Sequence, residues 1–351
     1  MLITASQFAI LGLAAFALTG LLTWPVRALA IRLGAMDAPN LARKSQAEPV
    51  PYLGGVAIAL GVTITVFAAV FVGKGTSSNT EQIQDLAFTI LLPALILGAM
   101  GLFDDLRSLS PWPRLILQIV VGTLAAFLIV ENGTTGTPFG SSTLNTAITI
   151  FWIVGICNSI NFFDNLDGAA AGAVAIAALG VFVIAFDRGQ ELIGALSIVT
   201  AGATIGFLMW NKSPAKIYMG DAGALFLGII ISVATIRLNP GVTPSWKSLT
   251  IPVILLAVPL LDTCVAVFSR IARRVSPLTG GKDHLSHRLV RAGLSRPMAA
   301  IALWAASGVC AIVAIAIYKY PDSFGTLLIS IFAAGWLTAL VLFLRTPSQD
   351  L

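Results

Sequence analysis

Charge is what this sequence is short of: Asp, Glu, Lys and Arg make up 11% of its 351 residues, against about a quarter in soluble domains. Histidine is almost missing, with two residues, and tyrosine is scarce, with four. The three cysteines, Cys157, Cys264 and Cys310, lie inside apolar stretches at no pairing or ligand spacing, so neither a disulfide framework nor a zinc site has support. Nucleic-acid binding has none either. What fills the chain instead is hydrocarbon: 57% of residues are hydrophobic and the mean hydropathy is +0.92.

That balance predicts an all-α polytopic membrane protein, because each crossing of the hydrocarbon needs about 20 apolar residues. Eleven stretches meet this, roughly over 5–26, 53–73, 86–103, 113–131, 144–162, 169–186, 191–210, 222–238, 249–268, 299–318 and 324–344. Residues 1–26 have no basic segment ahead of the apolar run and read as the first span. Alternate loops, starting with the one after that span, hold sixteen of the Lys and Arg residues and the opposite loops hold five. Positive loops stay in the cytoplasm, so the N-terminus is expected outside and the C-terminus inside. The chain is expected to form one membrane domain over 1–351, with cytoplasmic loops at about 27–52, 104–113, 158–168, 210–222 and 269–298.

The few polar residues gather in those loops. In Asn158-Ser-Ile-Asn161-Phe-Phe-Asp164-Asn165-Leu-Asp167-Gly168, polar residues recur every three positions. On a helix that spacing would put Asn158, Asn161, Asp164 and Asp167 on one stripe facing a wet cavity, or merely facing water at a helix end. Asp104 and Asp105 adjoin at a span boundary, where mutual repulsion asks for a cation or a proton-transfer role, unless they are simply surface acids. Gly220 and Gly223 flank Asp221 at the start of the eighth span, an arrangement that lets backbone approach a ligand and equally fits a plain N-cap. The first loop, Asp37 to Gly55, carries Arg43 and Lys44 among prolines and glycines, and taken alone reads as a positive-inside anchor. The last large loop holds both histidines, His284 and His287, between Lys282 and Arg288, a donor cluster suited to phosphate rather than metal. Asp262 lies inside the ninth span, as a functional group or as a helix–helix hydrogen bond.

Five motifs in this order resemble the polyprenyl-phosphate N-acetylhexosamine-1-phosphate transferases, the WecA/MraY-like membrane family. They are Asp37 to Gly55, Asp104-Asp105 to Leu109, Asn158 to Gly168, Gly220 to Ala224, and His284 to His287. Gln46, Tyr52, Asn165 and Ser286 depart from the family pattern, and the first loop is closer to the WecA branch. The resemblance implies transfer of a sugar-1-phosphate from a UDP-N-acetylhexosamine to a polyprenyl (undecaprenyl) phosphate at the cytoplasmic face of the inner membrane, with Mg²⁺, or Mn²⁺ in its place. It implies Mg²⁺ at Asp221 and Asn161, lipid-phosphate activation by Asp104 and Asp105, and Arg114 holding that phosphate. The donor diphosphate would fall to Lys44, His284, His287 and Arg288, and the nucleotide to Asp164, Asp167, Asn165, Asn211 and Tyr218. A homodimer is compatible with it. The alternatives are a phospho-MurNAc-pentapeptide transferase of the MraY type, or an ion-coupled transporter. A transporter places its coupling carboxylates near the midplane, whereas here only Asp262 intrudes.

Overall fold

The structure, a computed structural model, describes residues 3–37, 49–72, 85–107 and 109–346. Thirteen helices carry the described fold: α1 Ala5–Arg32, α2 Gly54–Val72, α3 Leu92–Arg107, α4 Pro111–Glu131, α5 Ser142–Phe163, α6 Ala169–Asp187, α7 Glu191–Asn211, α8 Gly220–Arg237, α9 Ser245–Leu255, α10 Ala257–Ala272, α11 Leu285–Arg291, α12 Arg296–Lys319 and α13 Thr326–Arg345. Wider π turns, Ala87–Leu91 and Pro321–Gly325, lead into α3 and α13. The sheet is minimal: β1 Met36–Asp37 pairs antiparallel with β2 Val50–Pro51, Met36 opposite Pro51.

Among the described residues nine helices are long and apolar enough to span a membrane, and the bent pair α9–α10 adds a tenth. The apolar stretch of α2, Gly54–Val70, is shorter. Together these account for the eleven runs read from the sequence. One of those runs is not straight: α9 and α10 meet at 74°. The cause is local, since Pro259 has no N–H to offer Leu255 and its ring crowds that carbonyl, so the ladder breaks at Leu256.

α8 is the hub. Every residue from Ala222 to Arg237 is buried, and the helix packs against α2, α3 and α5. Backbones meet here through glycine: a Cβ on Gly55 would lie 2.1 Å from the Gly223 nitrogen, and one on Gly101 2.4 Å from the Asp221 carbonyl. In hydrocarbon such small-residue contacts do the packing that the hydrophobic effect does in water. Several buried hydroxyls are satisfied within their own helices, as Thr23 donating to Thr19 O (2.7 Å) and Thr235 to Ile231 O (2.7 Å). The one buried cation of α8, Arg237, sits at its far end and pairs with Asp85 at 2.5 Å. α13, by contrast, fully buries no residue; half-buried apolar side chains such as Ile329, Phe332 and Leu340 pack on the core, and Trp336 Nε1 donates to the Ala257 carbonyl at the break (3.0 Å).

Candidate active site

The end of α8 opposite Arg237 opens on a polar cluster supplied by three helices, two of them bringing acids and the third an amide. α3 brings Asp104 and Asp105 in its last turn, α8 brings Asp221 in its first, and α5 brings Asn161 near its C-terminus. Arg114, from the first turn of α4, binds Asp104 Oδ2 (2.6 Å) and also Asp221 Oδ2, so one guanidinium bridges two carboxylates. Asn161 Nδ2 donates to Asp221 Oδ1 at 2.6 Å. Asp105 accepts the amides of Asp221 (2.9 Å) and Ala222 (3.1 Å), capping the start of α8, where the helix dipole favours negative charge. Gly220, at φ +69°, is required here: a side chain would place its Cβ 2.5 Å from Asp105 Oδ2. The loop ahead of it is pinned by Gly54 and Gly55, whose amides donate to Tyr218 O (2.9 Å) and Met219 O (2.8 Å).

The four-residue stripe expected over Asn158 to Asp167 does not stay on one face, because α5 ends at Phe163. Asn161 reaches Asp221, while Asn158 turns to Gln118 Oε1 (2.5 Å) and Asp167 accepts the Ala215 amide (3.1 Å). Asp164 keeps an exposed edge at the mouth. Burial, with the charges of Asp221, Asp105 and Asp167 close by, pushes its carboxyl up to about 8. Asn165 donates to Phe162 O (2.7 Å) and accepts from Ser286 Oγ, which joins this loop to α11. Asn211, expected at the nucleotide, is buried and spends its amide on the chain itself, accepting from Gly168 N (3.1 Å) and donating to Ile217 O (2.9 Å). Tyr218 is half-buried on the same loop, and burial, with Asp167 near, raises its phenol above its ordinary value.

The diphosphate group divides. Lys44 lies outside the described residues. His287 is half-buried, and burial, with His284 as the next largest influence, pushes its imidazole down to about 4, so at neutral pH it offers a neutral ring. His284 has both nitrogens engaged, Nδ1 with Asp262 Oδ2 (2.7 Å) and Nε2 with Arg270 Nη2 (3.2 Å). Arg288 is 1% exposed, and its guanidinium donates to Asp283 O (2.9 Å), Ser269 Oγ (2.6 Å), Phe343 O and Thr346 O. These bonds tie α11 to the end of α13. Arg270 escaped the sequence reading because, among the basic residues after the ninth span, it looked like topology charge. Burial against Asp283 sets it apart: their two bonds are 3.0 and 2.8 Å, and Asp283 is held below its ordinary value by Arg270 although burial alone would raise it.

Oxygen donors and excess negative charge are what a hard divalent cation needs; among the described residues Asp104 and Asp221 share Arg114, while Asp105 accepts backbone amides and Asp164 lies at the mouth. Among the described residues no three His, Cys, Asp or Glu side chains converge as a closed metal cage would. The Asp221 carboxylate and the Asn161 amide, side by side, are oxygen-bearing groups of the kind that would hold a Mg²⁺ whose other positions went to phosphate oxygens and water.

Comparisons with known proteins identify the family. The profile described as Glycosyl transferase family 4 matches residues 87–239. A Bacillus subtilis protein named "Probable undecaprenyl-phosphate N-acetylglucosaminyl 1-phosphate transferase" is 37% identical over 82% of this chain and 78% of its own length. The decaprenyl-phosphate N-acetylglucosaminephosphotransferase of Mycolicibacterium smegmatis is 31% identical over 87% of this chain and 80% of its own. A phospho-N-acetylmuramoyl-pentapeptide-transferase of Streptococcus thermophilus is 31% identical over 54% and 59%. With acids and an arginine assembled at one end of a bundle of apolar helices, and with relatives matched across four-fifths of its length, the chain belongs to the WecA/MraY-like polyprenyl-phosphate N-acetylhexosamine-1-phosphate transferases of glycosyl transferase family 4.

Proposed function

We propose that this protein transfers N-acetylglucosamine-1-phosphate from UDP-N-acetylglucosamine to a polyprenyl phosphate at the cytoplasmic face of the plasma membrane, releasing UMP. The observation that carries the reading is the constellation Asp104–Arg114–Asp221–Asn161 at the mouth of α8, one cation shared by two carboxylates beside an amide. The Bacillus and Mycolicibacterium relatives, each matched over four-fifths or more of this chain, have N-acetylglucosamine in their names, whereas the Streptococcus muramoyl-pentapeptide enzyme matches over about half.

In the reaction an oxygen of the lipid phosphate forms a bond to the donor's β-phosphorus, the bond from that phosphorus to the bridging oxygen breaks, and the bridging oxygen leaves with UMP. Arg114 receives the lipid phosphate, exchanging its carboxylate partners for phosphate oxygens. Asp104, freed from Arg114, holds or removes the proton of the incoming phosphate. Asp105 is occupied by the α8 amides, so its part is to fix Asp221 in place. Asp221 and the Asn161 amide oxygen would hold Mg²⁺, which would supply neutralisation of the diphosphate charge and polarisation at the β-phosphorus. For the amide to serve, its oxygen must replace the Nδ2 that now faces Asp221, a simple rotation about the terminal bond. His287, Tyr218 and Asp164 line the donor side. Purified protein given Mg²⁺, a polyprenyl phosphate and a panel of UDP-sugars, including UDP-N-acetylmuramoyl-pentapeptide, should release UMP from UDP-N-acetylglucosamine in preference to the rest. Folded protein that turns over none of them would refute the reading.

A further inference from the structure

Asp262 is 0% exposed within the bent span, and a carboxylate so placed persists only with partners. It has two, and they belong to another element. Oδ1 accepts the amide of Leu285 (2.7 Å) and Oδ2 faces His284 Nδ1 (2.7 Å). Leu285 opens α11, and His284, in the N-cap position, makes no side-chain cap bond of its own. The cap of α11 is therefore supplied by α10.

The far side of the His284 ring fixes which proton it carries. Nε2 lies 3.2 Å from Arg270 Nη2, a group that can only donate. Nε2 must accept, so Nδ1 bears the proton and gives it to Asp262 in a hydrogen bond. Around the ring, Asp262 and Asp283 face Arg270, Arg273, which binds Asp283 at 2.7 Å, and buried Arg288, which donates to Asp283 O at 2.9 Å. An imidazolium would set an N–H against the guanidinium. The Phe162 ring, on α5, packs edge-on to His284 at 6.0 Å and under Arg270 at 5.3 Å, so the network rests on the helix that carries Asn161.

We propose that Asp262 is a positioning residue of the active site: by locking His284 as its Nδ1–H tautomer and capping α11, it holds Ser286 against Asn165 and His287 at the donor side. The bend between α9 and α10 gives this a structural source, since it is α10, redirected at Leu256, that carries the carboxylate to α11. The role of Ser286 and His287 at the donor rests on the transferase reading above, whereas the tautomer stands apart from it.

The protein has only two histidines, so full-length protein labelled with ¹⁵N-histidine in detergent shows two imidazoles, and His287→Gln leaves His284 alone. A protonated Nδ1 with a bare Nε2 at neutral pH is expected; a protonated Nε2, or an imidazolium, overturns the proposal even if the enzyme works as described. Asp262→Asn keeps the shape but inverts the chemistry. With its oxygen on the Leu285 amide, its NH₂ faces Nδ1 and drives the ring proton to Nε2, against Arg270. Supporting groups of this kind are worth about 10–100-fold in related carboxylate–histidine pairs. The expected loss in kcat/KM is of that size, as a raised KM for the UDP-sugar with the KM for polyprenyl phosphate unchanged. Asp262→Asn added to His284→Gln should cost nothing further. Equal rises in both KM values, or additive losses in the double variant, would reduce Asp262 to a general structural role and refute the proposal. If wild-type protein released no UMP at all, the transferase reading would fail while the tautomer measurement still tested the lock.

Discussion

Replacing Arg288 by lysine distinguishes a clamp from a ligand. The charge is kept, but an ammonium cannot serve four acceptors spread around a planar fork: Asp283 O, Ser269 Oγ, and the Phe343 and Thr346 carbonyls at the end of α13. A lysine reaching two of them strands the other two. A buried acceptor left without a donor costs about 1–3 kcal/mol, so Arg288→Lys should lose about 2–4 kcal/mol once water reaches the exposed end of α13. Because α13 fully buries no side chain, its C-terminal end should detach first. Thermal unfolding in detergent, read alongside initial rates over a range of UDP-sugar, gives both quantities on one preparation. The expected result is a clearly lower melting temperature with a donor KM close to wild type in the folded fraction. An unchanged melting temperature with a donor KM raised about tenfold, equivalent to about 1.4 kcal/mol of binding, would mean that Arg288 meets the diphosphate after all.

Asp221→Asn should raise the Mg²⁺ needed for half activity, because an amide cannot replace the lost charge, whereas Asp104→Asn should lower the rate at saturating Mg²⁺ by about 10²–10⁴-fold with little change in metal affinity. A Mg²⁺ titration with the two midpoints reversed would exchange their roles. Gly55→Ala forces a Cβ to within 2.1 Å of the Gly223 nitrogen and should cost about 1–3 kcal/mol or prevent folding, while Gly155→Ala, whose Cβ meets nothing within 4 Å, should melt like wild type. Asp164, raised from 3.8 to about 8, holds a proton in the folded protein that the unfolded chain has released; its contribution to stability is complete below about pH 4 and lost as the pH rises through 8. Without divalent cations, wild type should therefore lose more melting temperature between pH 6 and pH 9 than Asp164→Asn, and parallel pH curves would contradict this.

Hydropathy located the spans because a helix in hydrocarbon must be apolar along about 20 residues whatever its neighbours are. It could not show the 74° break, since a proline tolerated in one membrane helix breaks another, and Pro25 lies inside the intact α1. The chemistry-bearing ends were legible for a different reason: Asp104, Asp105 and Asp221 stand out against a sequence with few charges. Their division of labour was not legible. Sequence spacing placed Asp164 and Asp167 on a stripe that the end of α5 disperses, and nothing in the motif around Arg288 reveals that its partners lie at Phe343 and Thr346, over fifty residues away. The same holds for Asp262, whose partner His284 is 22 residues distant and belongs to a helix capped from outside.

The central claim is that the bond formed is to the donor's β-phosphorus, and UDP-N-acetylglucosamine labelled with ³²P at that atom tests it most directly. Incubated with the protein, Mg²⁺ and a polyprenyl phosphate, the label should move into the organic phase on a lipid carrying both the sugar and a diphosphate, with unlabelled UMP left in water. Label remaining in water as UDP, with sugar alone on the lipid, would show attack at the sugar carbon and contradict the account.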